Sequence, residues 1–264
     1  MSLALAPAET DLERRFGGLR RLYGDAAYLR LRAASFTVVG LGGVGSWAAE
    51  ALARSGVARL VLIDLDHVAE SNINRQVQAL TATLGQHKGQ ALRERIAGIH
   101  PGCDVQVVDA FVEATNWPAL LPAPVDALID ACDQVRAKLA LAIWALRERV
   151  PLVCVGAAGG KRQAQRVEVE DLADTTHDPL LASLRQRLRK EAVAPATTSR
   201  NGLGLRCVFS RESVAAPAEE CNTDGSLNCH GYGSSVTVTA TFGMVAAGEA
   251  IAQVLAARPR ADTD

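Results

Sequence analysis

The chain has six cysteines among its 264 residues (Cys103, Cys132, Cys154, Cys207, Cys221 and Cys229), but no two of them form a CxxC pair. This argues against a four-cysteine structural zinc, and none is expected; three lie in apolar segments where a free thiol packs well. Aromatic residues are scarce at 4%, although 48% apolar content supports a substantial core. Charge of one sign is lacking too. A formal net charge of −1 means that any nucleic-acid partner must be met by a local basic patch. The N-terminus shows no basic-then-apolar leader, and with the thiols this points to the reducing cytoplasm. No internal repeat or second glycine fingerprint is present. One apolar run, Val236 to Ala257, is long enough to raise the question of a membrane span. Three threonines, Glu249 and Gln253 interrupt it, so a buried helix is expected.

What is present centres on Ser35 to Asp66. Phe36 to Val39 reads as a buried strand, followed at once by GLGGVG and a helical pattern through Trp47, Ala51 and Leu52. A second apolar run, Leu60 to Ile63, leads into Asp64, Leu65 and Asp66. Strand, glycine turn, helix, strand and acidic residue make a nucleotide-binding βαβ unit. Gly40 suits the tight turn, Gly42 and Gly43 the approach of backbone to phosphate, and Gly45 close helix packing. Asp64, and Asp66 beside it, stand where a carboxylate meets ribose hydroxyls. At this point both ATP and NAD remain open.

Upstream, residues 1–10 read as a frayed tail. Asp11 to Arg32 reads as helices studded with Arg14, Arg15, Arg20, Arg21, Arg30 and Arg32. These form either a solvated face or a supply of one arginine to a triphosphate, in this chain or a second copy. Downstream, HVAESNINRQ gathers donors (Ser71, Asn72, Asn74, Arg75, Gln76) at the carboxyl edge of the second strand, where ligands of doubly wound sheets bind. Gly85 to His100 reads as a helix carrying Lys88, a point charge for phosphate. Val105 to Val108 is a third strand and Trp117 to Leu121 a short helix. Val125 to Ile129 is a fourth strand, ending in Asp130-Ala-Cys-Asp133. Two carboxylates facing one crevice suit a magnesium ion on phosphates; alternatively, Asp133 caps the helix from Val135 to Arg149. Pro151 to Val155 is a fifth strand, and Gly156 to Gly160 a loop of close approach.

After Lys161 the period changes. Gln165 to Glu170 alternates like an antiparallel strand, and Asp178 to Lys190 is a helix ending in Arg185, Arg187, Arg189 and Lys190. Those cations suit a helix C-terminus or RNA. Leu205 to Ser210 is strand-like within otherwise mobile loops at about 192–230. The expected fold is α/β, a Rossmann-like nucleotide-binding sheet extended by antiparallel strands and a C-terminal helix. One domain spans 1–264, with nucleotide binding in 11–160 and substrate binding in 161–264.

GLGGVG with Asp64 alone fits a dehydrogenase. The ordered set GLGGVGS, IDLD, NINRQ, Lys88 and DxxD instead resembles the ubiquitin-activating-enzyme superfamily, which adenylylates carboxylates with ATP. RFGGLRRLYG, HDPLLASLRQRLRK, CVFS and TVTATFGMVA resemble its bacterial branch that cyclises threonylcarbamoyladenosine beside the tRNA anticodon. The resemblance implies ATP and Mg2+, with Asp133 on the metal and Arg75 and Lys88 on the phosphates. It also implies a tRNA substrate, a homodimer and a possible sulfur-transfer protein partner. Sulfur-carrier relatives open with an RYxRQ-like motif; Gly18 replaces its second arginine here, so Arg21 is assigned as the arginine acting in trans. Once the carboxylate is an acyl-adenylate, the ureido group of the same base closes on it. Ring closure is intramolecular, so Cys229 is expected to be dispensable. The alternatives are an adenylyltransferase for a ubiquitin-like or sulfur-carrier protein, and an NAD(P)-binding oxidoreductase or nucleotide sensor.

Overall fold

The computed structural model describes residues 11–191, 202–214 and 232–257. The expected tail at 1–10, Cys221, Cys229 and most of the loop region at 192–230 lie outside the described residues. Seven strands form one sheet: β1 (Ser35–Val39), β2 (Arg59–Ile63), β3 (Asp104–Val108), β4 (Ala127–Asp130), β5 (Leu152–Val155), β6 (Val167–Asp171) and β7 (Arg206–Ser210). Their order is β3-β2-β1-β4-β5-β7-β6. All neighbours are parallel except β6 and β7. Only β6 is therefore antiparallel, and β7 continues the parallel sheet. The order reverses between β1 and β4, which is where doubly wound sheets bind ligands.

Alternation along the strands divides the core. Phe36, Val38, Leu60, Leu62 and Ile129 face one layer of helices. That layer holds α3 (Gly45–Arg54), α4 (Lys88–Ile99) and α7 (Val236–Ala256). Val39, Ile63, Leu128 and Leu152 face the other layer, α5 (Val135–Glu148) and α6 (Pro179–Lys190). Helix α7 is the one described helix long and apolar enough to cross a membrane, and half of its apolar window is buried. Its inward residues Val238, Phe242, Ala246 and Ala250 are closed to solvent on α3 and the sheet. Gly243 allows that contact: a Cβ there would lie 2.5 Å from the Val44 carbonyl and 2.9 Å from the Ala48 nitrogen. Phe242→Ala would cost about 3–5 kcal/mol.

Helices α1 (Leu12–Tyr23) and α2 (Asp25–Ala33) meet at Gly24. They lie toward the amino edge of the sheet, with the Phe16 ring 4.8 Å from that of His100 at the end of α4. Trp117 to Leu121 forms turns rather than the expected short helix. Pro118 cannot donate an amide hydrogen to a helical turn, and Pro122 and Pro124 follow at once.

Candidate functional site

A cavity of about 530 Å³ opens at the carboxyl edge, over the point where the strand order reverses. The turn after β1 makes its floor. Gly40 takes φ +84°, and a Cβ there would press on the Ala131 and Cys132 backbone at 2.9–3.0 Å. A Cβ on Gly45 would overlap the Gly40 carbonyl oxygen, whereas one on Gly42 would meet nothing within 4 Å, so that side lies open. Helix α3 starts at Val44 with no side-chain cap. The Ser46 N–H is taken by the Gly42 carbonyl at 3.1 Å, and the positive end of the helix dipole favours an anion here.

Asp64 is buried and shapes this turn, accepting from the Leu41 N–H at 2.6 Å and the Asp66 N–H at 2.8 Å. Each carboxylate oxygen retains a lone pair for a ribose hydroxyl. Lys88, at the first turn of α4, donates to Asp66 at 2.7 Å and is 5% exposed, which fixes its ammonium at the cavity wall. His87 holds this corner from behind, with Nε2 3.0 Å from the Asp64 carbonyl and 3.2 Å from the Asp109 carboxylate. Arg75 also lines the cavity and donates to the Ser71 carbonyl and the Asn74 amide oxygen. The other NINRQ residues build the loop and do not line the cavity. Asn72 accepts from the Ala69 N–H, Gln76 from the Gln78 amide, and Asn74 donates to the Ser234 carbonyl.

The expectation of two carboxylates facing one crevice is corrected. Asp130 is fully buried and 3.1 Å from the ammonium of Lys138, itself fully buried. Burial lowers the Lys138 pKa, but Asp130 outweighs it, so the net shift is upward and the ammonium stays charged. Lys138 also donates to the Val155 carbonyl at 2.7 Å, tying the ends of β4 and β5 to α5. Asp133 alone faces the cavity, exposed and with no hydrogen bond or ion pair among the described residues. It is not the helix cap, because Gln134 stands at that position without a side-chain bond. Cys132 between them is half-buried at the wall and donates to the Asp130 carboxylate at 2.8 Å; burial, with the Asp130 charge, pushes its thiol up. A single carboxylate at a phosphate pocket fits Mg2+, which takes one or two carboxylates and completes its shell with phosphate and water. Among the described residues no group of three His, Cys, Asp or Glu side chains forms a self-contained metal cage.

Arg21 is exposed on α1, at the opposite edge of the sheet, and is absent from this wall. Four contributors were missed in the sequence reading: His87, Lys138 and the aromatic lining residues Phe111 and Tyr232. Only Lys138 carries a readable signal. It is one cation on the face that Ala137, Leu141 and Ala145 bury, which calls for an internal partner.

The fold and this charged cavity define a Rossmann-type nucleotide-binding protein. The ThiF family model matches residues 15–263, and the chain belongs to the ThiF family. It is 42% identical to the tRNA threonylcarbamoyladenosine dehydratase of Escherichia coli over 93% of this chain and 95% of that one. It is 38% identical to the Haemophilus influenzae protein of the same name over 97% and 98%. The crystal structure of the E. coli dehydratase in complex with ATP superposes with a TM-score of 0.84, covering 94% of this chain and 96% of that one.

Proposed function

We propose that the chain uses ATP to dehydrate threonylcarbamoyladenosine in tRNA: adenylylation of its carboxylate releases pyrophosphate, and ring closure then expels AMP and leaves the cyclic base in the tRNA. The carrying observation is the grouping of Arg75, Lys88, an Asp133 with no partner among the described residues, and the start of α3 around one cavity. The chain matches tRNA dehydratases along nearly its full length.

A carboxylate resists attack because it is anionic and has no good leaving group, and transfer to the α-phosphate of ATP supplies one. Asp133 would hold Mg2+ on the phosphates; when bound, the ion offsets charge building there. Lys88 and Arg75 place cations on the same oxygens, and the positive end of the α3 dipole receives the remaining charge. Asp64 orients the ribose. No side-chain nucleophile is required, because the attacking ureido group belongs to the substrate itself.

The active form is a homodimer acting in the cytoplasm. Apolar side chains are exposed on α7 at Val236 and Met244, and at Ile73 and Leu29 in segments hydrogen-bonded near its two ends. A second copy covering this face accounts for the apolar outer half of α7. It also gives Arg21 a triphosphate to reach. The test is mass spectrometry of nucleosides from tRNA incubated with protein and ATP. The cyclic base is expected. Unchanged tRNA, with pyrophosphate released only when a sulfur-carrier protein is added, rejects the reading for the adenylyltransferase alternative.

A further inference from the structure

The cavity has two chemically different halves. Among the described residues, every charged side chain on its wall (Asp64, Asp66, Arg75, Lys88 and Asp133) belongs to the segments that follow β1 to β4. The rest of the wall, after β5 and around the start of α6, carries no charged side chain among the described residues; Ala157, Ala158, Pro179, Leu180, Val214 and Tyr232 face it. Charged residues are present in these same segments, but the fold turns them away from the cavity. Asp178 is 4% exposed and accepts from the Ala157 and Leu181 N–H groups at 2.9 and 3.0 Å. Lys161 is 2% exposed and donates to the Ser210 and Glu212 carbonyls at 3.0 and 2.9 Å. The Glu212 carboxylate accepts from the Arg162 and Gln163 N–H groups. Three ionisable groups thus brace a neutral wall from behind, each matched to backbone.

One aromatic ring stands over that wall. Tyr232 is 40% exposed, and its segment is pinned on two sides. The Gly160 N–H donates to the Gly233 carbonyl at 2.9 Å, and the Asn74 amide donates to the Ser234 carbonyl at 3.0 Å. Tyr232 is therefore held at the boundary between the charged and neutral halves. A neutral, largely apolar space with an exposed ring on a tethered segment suits a nucleobase, because every base has a stacking face and no formal charge. It does not suit the extended end of a carrier protein, whose backbone asks for a row of polar partners.

We infer that the neutral half of the cavity is a nucleobase subsite, and that Tyr232 is its specificity-determining residue, stacking on the RNA base presented for reaction. This rests on the proposed tRNA reaction and assigns its acceptor side. The base stacked there directs its carboxylate toward the α-phosphate held by the charged half.

The test is steady-state kinetics with tRNA bearing the threonylcarbamoyl base, varying tRNA and ATP separately for wild type, Tyr232→Leu and Tyr232→Phe. Tyr232→Leu should raise KM for tRNA roughly tenfold to a hundredfold, the range of one base–aromatic stack, and leave KM for ATP within about twofold. Tyr232→Phe, which keeps the ring, should recover most of that loss. A Tyr232→Leu enzyme with wild-type KM for tRNA overturns the inference while leaving the tRNA reaction standing. Equal losses in both KM values, or no recovery by Tyr232→Phe, also overturn it, since either assigns the ring a general structural role. Wild-type protein that turns over no tRNA at all overturns the proposed function and the inference together.

Discussion

The two halves of the cavity are built in opposite ways. The nucleotide half comes from chain segments that follow parallel strands in a fixed order, and it displays its charges: Asp133 is exposed and Lys88 is held at the wall by Asp66. The acceptor half comes from segments brought together around β5, α6 and β7, and it hides its charges behind backbone bonds. A triphosphate needs fixed cations and N–H groups, whereas a planar base needs an apolar wall with its polar groups satisfied elsewhere. Each half has the electrostatics of what it is proposed to hold.

The sharpest break of this comparison is an arginine that lies in neither half of its own chain. Arg21→Ala should cut turnover on the order of a thousandfold. Mixing Arg21→Ala with Asp133→Ala subunits should then return up to about half of the wild-type rate per heterodimer, because one site becomes complete. No recovery in a mixture shown to exchange subunits rejects action in trans. Asp133→Ala alone should lower turnover by roughly a hundredfold to a thousandfold with the melting temperature unchanged. A melting shift with activity kept would mean that this carboxylate only shapes the turn after β4.

Gly45→Ala attacks the floor of the charged half, since the new methyl overlaps the Gly40 carbonyl. A destabilisation of about 1–3 kcal/mol with a raised KM for ATP is expected, read by denaturant melts and kinetics. Asp178→Ala is its counterpart in the neutral half. Losing the α6 cap should cost about 1 kcal/mol and loosen the loop at Ala157. KM for tRNA should rise while KM for ATP holds, and the reverse split would erase the division.

The smallest effect is one of pH. Burial would raise the Glu50 pKa, but hydrogen bonds from Arg95 and Arg54 outweigh it and leave the carboxylate below its usual range. Its folded pKa therefore lies under the unfolded value. The stability it contributes is complete above the ordinary carboxylate range and is lost as pH falls through the folded pKa. Glu50 bridges α3 and α4 behind the charged half. Glu50→Gln should flatten the fall of melting temperature between about pH 5 and 3, and an unchanged slope would remove Glu50 from that role.

Legibility in the sequence follows the same division. GLGGVG, Asp64 and Lys88 were readable because a phosphate site needs particular residues at short spacing along one βαβ path. Asp130 was misread because its neighbour Asp133 looks identical in sequence, and only Lys138, in the first turn of α5, takes one of the pair inside. The short helix at Trp117 was misjudged by giving apolar content more weight than Pro118. Asp178 was legible only as a helix start. Its second bond reaches the Ala157 N–H, 21 positions away, and no local pattern encodes that distance. Tyr232 carried no signal, being one aromatic residue among glycines and serines.

The placement of β7 between β5 and β6 has a consequence for the order of synthesis. Strand β6 leaves the ribosome before β7, yet it reaches the sheet only through β7, with Val169 opposite Val208. The nascent chain must therefore keep an unpaired β6 and an open β5 edge until Arg206–Ser210 arrives and joins both. Val208 and Phe209 are buried on opposite faces of that joint, so the one five-residue strand closes both layers of the core at once. The β1 to β5 part of the sheet can pair in step with translation, whereas the wall around β7 waits for that strand, and the α3 layer stays uncovered until α7, made later still, packs on it.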